Sequence, residues 1–528
     1  MRFAVPSLTH RLLAFGLCLG GLGAGLAAAE QSHVTMPTPG GMPAVPRITG
    51  IQVVSNQTTL NWQNACGPYQ VWVKRSLSDP NWQTVAGPQM SNTARLTLGF
   101  SNAFFRVSGP SPQFAGARAC EECHANIHSS EMETSHNRAL ETLQKIGQAN
   151  NKACLPCHTV GYGLPTGFNE NDPRTAHLAG VQCESCHGPA ARHAANENDL
   201  LVRPRVELAG QLCGGCHMGS HHPTYEEWVT TGHAVVTEDM NPANRINSCG
   251  RCHSGSARDA LLKGLDPAVA VAGDANLGVT CTTCHDPHRN TPHGFQLRNP
   301  VVSTNDYWLS TSDSFASKYD PNINLCAQCH NHRGATWTST GRPPHHSPQY
   351  NILLGTVGEV AGSIARRPST HALAIERQCV GCHMPKEEFT SEAQPAITGH
   401  KFKVETYESC LSCHPFPEPL KDFTALVVTN RISQVKAALD LWATTKAPDQ
   451  LRTNYGVLAW EYTVPGDLSS GTAGPTTALQ AQIPDGIKKA RFNLYLVKYD
   501  GSYGAHNPLY SLDLLDLAAG WVLEELNK

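Results

Sequence analysis

One five-residue pattern, Cys-x-x-Cys-His, occurs nine times between Cys120 and His414. Two thiols about one helical turn apart can each form a thioether with one of the two vinyl groups of a porphyrin, and the histidine that follows then lies under the iron. This pattern is the attachment signature of c-type haem. We therefore predict nine covalently bound c-type haems, each with its iron, at motifs numbered one to nine in chain order. The predicted attachment cysteines are Cys120, Cys123, Cys154, Cys157, Cys183, Cys186, Cys213, Cys216, Cys249, Cys252, Cys281, Cys284, Cys326, Cys329, Cys379, Cys382, Cys410 and Cys413. The predicted proximal iron ligands are His124, His158, His187, His217, His253, His285, His330, His383 and His414.

Two other chemistries also use paired cysteines. Structural zinc sites pool four ligands from two arms and need no histidine fused to every cysteine pair. Disulfides or redox dithiols give no physical reason for a histidine after each of nine pairs. The repeated histidine therefore favours haem over both.

Seventeen histidines lie outside the motifs, and fifteen of them follow residue 50, so the supply of distal iron ligands exceeds the demand of nine haems. The preferred distal candidates are His136, His193, His233, His288, His332, one of the adjacent pair His345 and His346, His371, His400 and His506. The reserves are His128, His177, His221, His222 and His293. His193 and His288 lie too close to their own motifs to reach back over the same haem, so we expect each to ligate a neighbouring one. Mostly bis-histidine ligation implies potentials below those of methionine-ligated cytochromes.

The composition argues against some partners. Hydrophobic residues make up 40% of the 528 residues and charged residues only 16%, which suits a chain that wraps large apolar cofactors. The formal net charge is −3, and it becomes −5 if Arg2 and Arg11 are removed with the leader described next. Haem propionates add negative charge, so nucleic-acid binding is disfavoured and a basic redox partner protein fits better. Two cysteines lie outside the motifs: Cys18, in the leader, and Cys66, which we interpret as a buried inert thiol.

The N-terminal residues predict export. Residues 1–29 combine two arginines, an apolar run over 12–26 and the small residues 27–29, which is the pattern of a cleaved signal peptide. No later stretch approaches the roughly eighteen apolar residues of a membrane span, so we predict no transmembrane anchor. The expected location is periplasmic or extracellular. Residues 30–46, rich in proline and glycine, are typical of a tether.

Residues 47–109 predict a small antiparallel β-sandwich. Six short runs rich in β-branched and aromatic residues, at 48–54, 58–62, 69–75, 82–85, 94–98 and 104–107, are separated by turn-forming residues. Such a module could dock a partner or act as a spacer, and the lack of site chemistry in its sequence favours the spacer.

Residues 113–416 predict a nonahaem domain, mainly α-helical with much irregular structure around stacked haems. About 33 residues per haem are too few for a conventional core around each one, so the haems themselves must form it. A compact unit of about 295 residues has a radius of gyration of roughly 19 Å, which places neighbouring irons about 19 Å apart or less. Such crowding predicts a connected path for electrons.

Residues 417–528 predict amphipathic helices at 420–446, 485–499 and 507–526 that pack on the haem domain. In the first of them we expect one apolar stripe formed by Leu420, Phe423, Val427, Ile432, Val435, Leu439 and Leu441. These helices could also mediate a homo-oligomer.

Several segments resemble known families. Residues 180–189 with His193, residues 134–136, and residues 222–228 before His233 resemble the cytochrome c-554 family, tetrahaem proteins that accept electrons from hydroxylamine oxidoreductase. Residues 281–288, 342–350 and 504–508 resemble the wider group of octahaem hydroxylamine oxidoreductases, tetrathionate reductases and pentahaem nitrite reductases. The resemblance implies that His506 reaches back as a distal ligand. The Cys-x-x-Cys-Lys motif of the usual nitrite-reductase active haem is absent, and nine motifs match neither the four-haem nor the eight-haem pattern.

Three functions follow as hypotheses. The leading one is an exported electron carrier that works by hopping between haems in a respiratory chain. The second is a reductase or oxidase of a small nitrogen or sulfur oxyanion, with one haem that lacks a distal ligand. The third is a subunit of an extracellular conductive assembly. Only the coordination of the irons separates the first two, and the surplus of histidines leaves that choice open.

Overall fold

The computed structural model describes residues 46–54, 56–63, 68–89, 91–98, 103–235, 243–270, 277–291, 294–298, 325–375 and 377–528. The predictions for the signal peptide, for almost all of the tether, and for Cys18, Cys66 and His293 lie outside these residues.

The first described elements are six strands in two antiparallel sheets. The strands are β1 (Arg47–Val54), β2 (Gln57–Gln63), β3 (Tyr69–Lys74), β4 (Gln83–Gln89), β5 (Thr93–Thr97) and β6 (Phe104–Ser108). One sheet has the order β1-β2-β5 and the other the order β4-β3-β6. Alternate side chains point to opposite faces of a strand, so β3 buries Tyr69, Val71 and Val73 and leaves the residues between them half-buried. Both sheets contribute to one buried cluster, in which the Trp62 and Tyr69 rings meet edge to face at 5.5 Å. Each predicted run overlaps one strand, although β4 extends four residues beyond the run 82–85.

Helices between residues 118 and 383 are short, from 4 to 15 residues. They are α1 (Arg118–Met132), α2 (Ala139–Lys145), α3 (Leu155–His158), α4 (Cys183–His187), α5 (Ala191–Ala195), α6 (Gly210–Gly214), α7 (Thr224–Val229), α8 (Ala243–His253), α9 (Gly255–Leu262), α10 (Pro267–Ala270), α11 (Cys281–Cys284), α12 (Gln349–Leu354), α13 (Thr370–Ala374) and α14 (Gln378–His383). The hydrophobic clusters described in this region are small, with two to six buried residues each. Hydrogen bonds from buried polar side chains therefore help to hold these short helices in place. The Glu184 carboxylate, 1% exposed, accepts backbone N–H groups of Ala115, Gly116 and Ala190 and so joins α4 to the segment before α1.

The C-terminal helices contain the largest hydrophobic cluster among the described residues. They are α15 (Pro417–Thr445), α16 (Asp449–Tyr455), α17 (Asp485–Asp500) and α18 (Pro508–Leu526). α15 packs on α17 and α18, and α12 joins them through α17. None of the helices in the described part of the chain is both long and apolar enough to cross a bilayer.

The predicted apolar stripe of α15 is wrong at its two ends. The buried residues on this helix are Val428, Ile432, Val435, Leu439, Trp442 and Ala443. They recur at intervals of three and four residues, as one face of a helix requires. Leu441 lies off this face and is 51% exposed, whereas Leu420 and Phe423 are 44% and 64% exposed. These two precede Val428, the first residue of α15 that is buried.

A buried polar network crosses the centre of the same bundle. The fully buried Arg491 guanidinium donates to the carbonyl oxygens of Trp460 and Glu461 at 2.8 and 2.7 Å and to the Gln480 side chain at 2.9 Å. The Tyr495 hydroxyl donates to the Glu461 carboxylate at 2.5 Å. Burial raises the pKa of Glu461, and the phenol and the guanidinium partly offset this rise. The network satisfies buried polar groups that would otherwise destabilise the bundle.

Candidate haem-binding sites

Each of the nine motifs lies on or beside a helical turn. Seven motifs overlap α1, α3, α4, α6, α8, α11 and α14, and the other two begin in the 3-10 turns Cys326–Gln328 and Glu408–Cys410. A helical turn brings residues i and i+3 to the same side, so both thiols of a motif can reach one porphyrin. α1 departs from helical geometry at His124 (φ −118°, ψ 36°), the last residue of the first motif.

Seven proximal histidines face a second imidazole at nearly the same distance. The pairs and their ring-centroid distances are His217 with His136 at 6.0 Å, His187 with His288 at 6.0 Å, His330 with His233 at 6.1 Å, His253 with His345 at 5.8 Å, His285 with His400 at 6.2 Å, His414 with His371 at 6.0 Å, and His383 with His506 at 6.1 Å. A metal–imidazole nitrogen bond is roughly 2 Å long, and each ring centre lies about 1 Å beyond its nitrogen, so two axial imidazoles on one iron have centres about 6 Å apart. The pairs therefore have the spacing that bis-histidine haem requires.

Hydrogen bonds at Nδ1 orient many of these rings. The proximal His158, His187, His285 and His383 donate to the carbonyl oxygens of Ala139, Arg205, Phe295 and Phe402 at 2.8, 2.6, 2.7 and 3.3 Å. Among the distal candidates, His371 donates to the Ala505 carbonyl at 2.9 Å and His345 to the Ser347 hydroxyl at 2.9 Å. A proton on Nδ1 leaves the lone pair on Nε2, the atom that binds a metal. These hydrogen bonds therefore leave the Nε2 atom of each ring available to bind iron.

Burial keeps several of these imidazoles neutral. Burial, together with smaller effects of neighbouring positive charges, lowers the pKa of His217, His233, His345 and His400 to about 4. An imidazole with such a pKa carries no charge at pH 7. The neutral form is the one that ligates iron.

Two carboxylates support the sites from positions that no motif indicated. Glu227 on α7, 5% exposed, accepts the backbone N–H groups of Thr398 at 2.9 Å and of His400 at 2.6 Å, and so fixes the loop that carries His400. Asp500 accepts Nδ1–H of His506 at 2.6 Å. Glu227 lies 173 residues before His400, and Asp500 lies more than a hundred residues after motif eight. No local sequence signal pointed to either carboxylate.

Two of the preferred distal candidates do not face a proximal histidine in this way. His193 lies on α5, which contacts α1, the helix that carries His124, and its Nδ1 is buried without a hydrogen-bond partner. His332 is 4% exposed, and its backbone N–H donates to the Asn351 side chain at 2.9 Å. Their assignment as distal ligands stays a prediction.

The structure distinguishes the adjacent pair. The ring of His345 faces His253, while the ring of His346 stacks on Tyr499 with ring centres 3.7 Å apart.

The described reserve histidines occupy other environments. His221 stacks on Phe389 at 3.7 Å, His177 donates to the Arg174 carbonyl at 3.0 Å, and His128 lies 4.0 Å from Glu121. His222 is the exception, because it lies close to two proximal histidines. Its ring centre is 6.5 Å from that of His217, and its pKa is lowered by burial and then by the charge of His158.

No second imidazole from the described part of the chain faces His124 or His158 at the distance of the seven pairs. His158 is nevertheless oriented as the other proximal ligands are, through its bond to the Ala139 carbonyl. These two motifs therefore differ from the other seven.

Cysteines of different motifs lie next to each other. Five pairs of thiols are within hydrogen-bonding reach: Cys120 with Cys183, Cys157 with Cys216, Cys213 with Cys281, Cys252 with Cys329, and Cys326 with Cys379. Three further links are electrostatic, in that charge on one thiol raises the pKa of another: Cys186 acts on Cys213 and Cys216, Cys326 on Cys284, and Cys410 on Cys382.

Backbone contacts show how closely two of these motif pairs are packed. The Cys252 thiol contacts the Gln328 carbonyl at 3.8 Å, and the Cys329 thiol contacts the Arg251 carbonyl at 3.9 Å, so motifs five and seven pack reciprocally. The Cys157 thiol similarly contacts the Gly215 carbonyl of motif four at 4.0 Å.

Comparisons with known proteins agree with this site chemistry. The family model described as cytochrome c554 and c-prime matches residues 119–188 and 325–415, which hold motifs one to three and seven to nine. The C-type polyheme cytochrome OmcB of Geobacter sulfurreducens is 24% identical over 313 residues, or 51% of this chain and 36% of OmcB. Cytochrome c-554 of Nitrosomonas europaea is 30% identical over 136 residues, or 20% of this chain and 57% of that relative.

The matches thus span about a third of OmcB and somewhat more than half of cytochrome c-554. Among solved structures, the undecaheme cytochrome from the S-layer of Carboxydothermus ferrireducens is 22% identical with a TM-score of 0.49, over 79% of this chain and 70% of that one. The family model and the curated relatives confirm the predicted resemblance and support covalently bound haem c.

Proposed function

We propose that this chain, a multihaem c-type cytochrome, is an exported electron-transfer protein that binds nine haems and carries electrons between redox partner proteins. The eighteen motif cysteines would hold the haems, and the nine motif histidines would be the proximal ligands. His136, His233, His288, His345, His371, His400 and His506 would be distal ligands. When bound, haem c supplies a one-electron iron couple at each motif.

The observation that carries the proposal is that cysteines of different motifs lie close together along the whole series of motifs. Motifs one, three, four, six, seven, eight and nine follow one another through neighbouring cysteines, motif two joins at motif four, and motif five joins at motif seven. Each sulfur is the attachment point of a haem. Motifs whose sulfurs are within hydrogen-bonding reach, or close enough for charge on one to act on the other, would therefore place their attached groups near each other. All nine sites then belong to one connected path.

The ends of this path reach the surface. Of the eighteen motif cysteines, Cys123 of motif one and Cys413 of motif nine are exposed, and the others are partly buried. A path with partly buried middle sites and exposed ends would allow electron exchange with partners at two separate places. The side chains between the ends keep the ligating imidazoles neutral and oriented.

Redox and mass measurements on purified protein test the proposal. The mass and the pyridine haemochrome spectrum should give nine haems per chain, and a reductive titration should take up nine electrons in one connected pool. We expect the ferric protein to be inert toward nitrite, hydroxylamine and tetrathionate. Fewer covalent haems, or a group of haems that does not exchange electrons with the rest, would contradict the connected relay.

A second candidate function rests on motifs one and two. His124 and His158 lack a facing imidazole among the described residues, so the structure leaves room for a haem whose distal face binds a small molecule. Motif two has the stronger claim, because His158 is oriented for ligation and His222 lies nearby as a polar group. The protein would then reduce or oxidise a small nitrogen or sulfur oxyanion, using the same relay to deliver or remove electrons.

Ligand binding separates the two functions. If the second is right, the ferrous protein shifts its spectrum with carbon monoxide, a ferric high-spin signal is present, and one of the three tested compounds is turned over. If all irons are low-spin and inert, the enzyme hypothesis fails.

The proposal also includes export of the protein and a role for its N-terminal β-sandwich. Residues 1–29 would direct export and be cleaved, and the sandwich formed by β1–β6 would be a spacer. The exposed ends of the relay would also suit end-to-end contact in a conductive assembly. The N-terminal sequence of protein recovered outside the cytoplasm tests the first point, and sedimentation of the purified chain tests the last.

A further inference from the structure

The eighth motif is distinguished by a carboxylate that supports its second histidine. His506 faces His383 at 6.1 Å and donates from Nδ1 to Asp500 Oδ1 at 2.6 Å. The Asp500 side chain is 1% exposed. Its Oδ2 accepts the hydroxyl of Ser502, and the oxygen of that hydroxyl accepts the backbone N–H of His506 at 3.1 Å. The carboxylate is thus held on two sides.

Asp500 lies where a carboxylate is costly to the fold. It is the last residue of α17, and a negative charge at the C-terminal end of a helix is opposed by the helix dipole. Burial of the charge adds a further cost. Gly501, with a φ of +72°, then turns the chain so that Ser502 and His506 fold back onto the carboxylate. The helix alone would disfavour an aspartate at position 500, so the hydrogen bond to His506 explains its presence there.

The other oriented histidines have neutral partners. His158, His187, His285, His371 and His383 donate to backbone carbonyls, His345 donates to a hydroxyl, and Nδ1 of His400 lies 3.2 Å from the Thr398 carbonyl. Among these Nδ1 contacts, the one made by His506 has a charged acceptor, the Asp500 carboxylate.

A charged acceptor changes what the histidine does for the iron. An imidazole that donates Nδ1–H to a carboxylate becomes a more basic ligand at Nε2. A more basic ligand and a buried negative charge both stabilise ferric over ferrous iron, which lowers the potential.

We propose that Asp500 is a positioning residue that gives the haem held by His383 and His506 the lowest reduction potential of the nine. The proposal rests on the axial pairing proposed above. Motif eight joins motif seven through Cys326 and Cys379 and motif nine through Cys382 and Cys410. Electrons that travel between motif nine and the other motifs therefore cross this site, and its low potential makes that crossing the uphill step of the relay.

The variant Asp500→Asn tests the proposal because the amide oxygen still accepts the hydrogen bond but carries no charge. In a spectroelectrochemical titration of the haem-loaded protein, the one-electron component of lowest potential should become at least tenfold easier to reduce, which is about 59 mV for a one-electron couple. The electron paramagnetic resonance g-values of one low-spin haem should shift with it. Asp500→Glu should restore both toward the wild-type values.

Asp440→Asn is the matched control. Asp440 lies in the same helical bundle, accepts the Trp460 indole N–H at 2.9 Å and pairs with Lys436 at 2.6 Å. Its variant removes the same charge and should leave every redox component in place. If Asp500→Asn and Asp440→Asn shift the reduction potential equally, the shift comes from the change in net charge alone, and the proposal is overturned.

Two further outcomes separate this inference from the proposed function. If Asp500→Asn gives an unchanged titration while all its irons keep wild-type ligation, Asp500 does not set the reduction potential at motif eight. The proposed electron-transfer function is then unaffected. If His506→Ala leaves every iron with its original ligation, the axial pairing itself is wrong. Should Asp500→Asn fail to fold, Ser502→Ala provides the second test. It keeps the charge of Asp500 but removes a donor that partly neutralises it, so the potential of the same component should fall. An unchanged or raised potential would overturn the inference.

Discussion

Single residues decide which imidazole faces which motif histidine. His345 and His346 are adjacent and chemically identical in the sequence, and only their surroundings separate them. The ring of His345 faces His253 and donates to Ser347, whereas the ring of His346 stacks on Tyr499. Ligation is thus a property of the folded backbone around the residue.

Replacing the two histidines in turn tests this assignment. His345→Ala should remove one axial ligand, convert one haem to a high-spin form and create carbon-monoxide binding. His346→Ala should leave all ligation as in the wild type, because it loses only an aromatic contact. Absorption and electron paramagnetic resonance spectra of both variants measure the effect. A high-spin haem in His346→Ala alone would reverse the assignment.

A second prediction at this scale concerns pH. Glu131 is 6% exposed, one of its carboxylate oxygens has no hydrogen-bond partner, and burial raises its pKa from 4.5 to about 7. The folded state thus binds this proton more tightly than the unfolded state, so the stabilisation is complete below pH 4.5 and is lost as the pH rises through about 7.

Glu131→Gln, which imitates the protonated form, should match the wild type in unfolding free energy at pH 4.5 and exceed it at pH 8. Urea unfolding at several pH values measures the difference. Glu133→Gln, an exposed neighbour, removes the same charge and should show no such trend. A constant difference between Glu131→Gln and wild type across this range would contradict the assignment.

At the scale of elements, the long helices behave as the apolar periodicity predicts only where a partner covers them. On α15, Leu439 is fully buried against the bundle, whereas Leu441, two residues on, is 51% exposed. We expect Leu439→Ala to lower the free energy of unfolding by about 2–5 kcal/mol, because it leaves a cavity. Leu441→Ala should change it by less than about 0.5 kcal/mol. Denaturant unfolding followed by far-UV circular dichroism compares them, and equal losses would place Leu441 in a contact that the structure lacks.

The short helices of the motif region follow a different rule. Helices as short as α3 and α11, with four residues each, are too short to be stable alone. Their position depends on contacts such as those of Glu184 and Glu227 and on the covalent bonds to haem. Their length and location follow the motifs, whereas their packing follows the fold.

At the scale of the whole molecule, the branching of the relay gives an asymmetric prediction. Motif seven connects motifs five, six and eight, whereas motif five joins the path at motif seven alone. Removing haem seven with Cys326→Ser and Cys329→Ser should lower conductance between the two ends by at least tenfold, because it interrupts the path. Removing haem five with Cys249→Ser and Cys252→Ser should have a much smaller effect.

Conductance of single immobilised proteins, contacted at the Cys123 and Cys413 ends, measures this difference. The mass of each variant must first show eight remaining haems. Equal losses in the two variants would mean that motif five also lies on the main path, and no loss in either would mean that electrons bypass motif seven.

The sequence by itself determined the chemistry. The nine Cys-x-x-Cys-His motifs predict thioether attachment and proximal ligation locally, since all three residues lie within about one helical turn. The strands and long C-terminal helices follow from period-2 and period-3.6 patterns. The tertiary structure decided everything that joins distant residues. It brings His288 to His187 and His400 to His285, orders the motifs into a branched path and places Asp500 on His506. The two histidine pairs each span more than a hundred residues, and the contact of Asp500 with His506 depends on the turn after α17. Loops and buried carboxylates of this kind leave no periodic or motif signal in the chain.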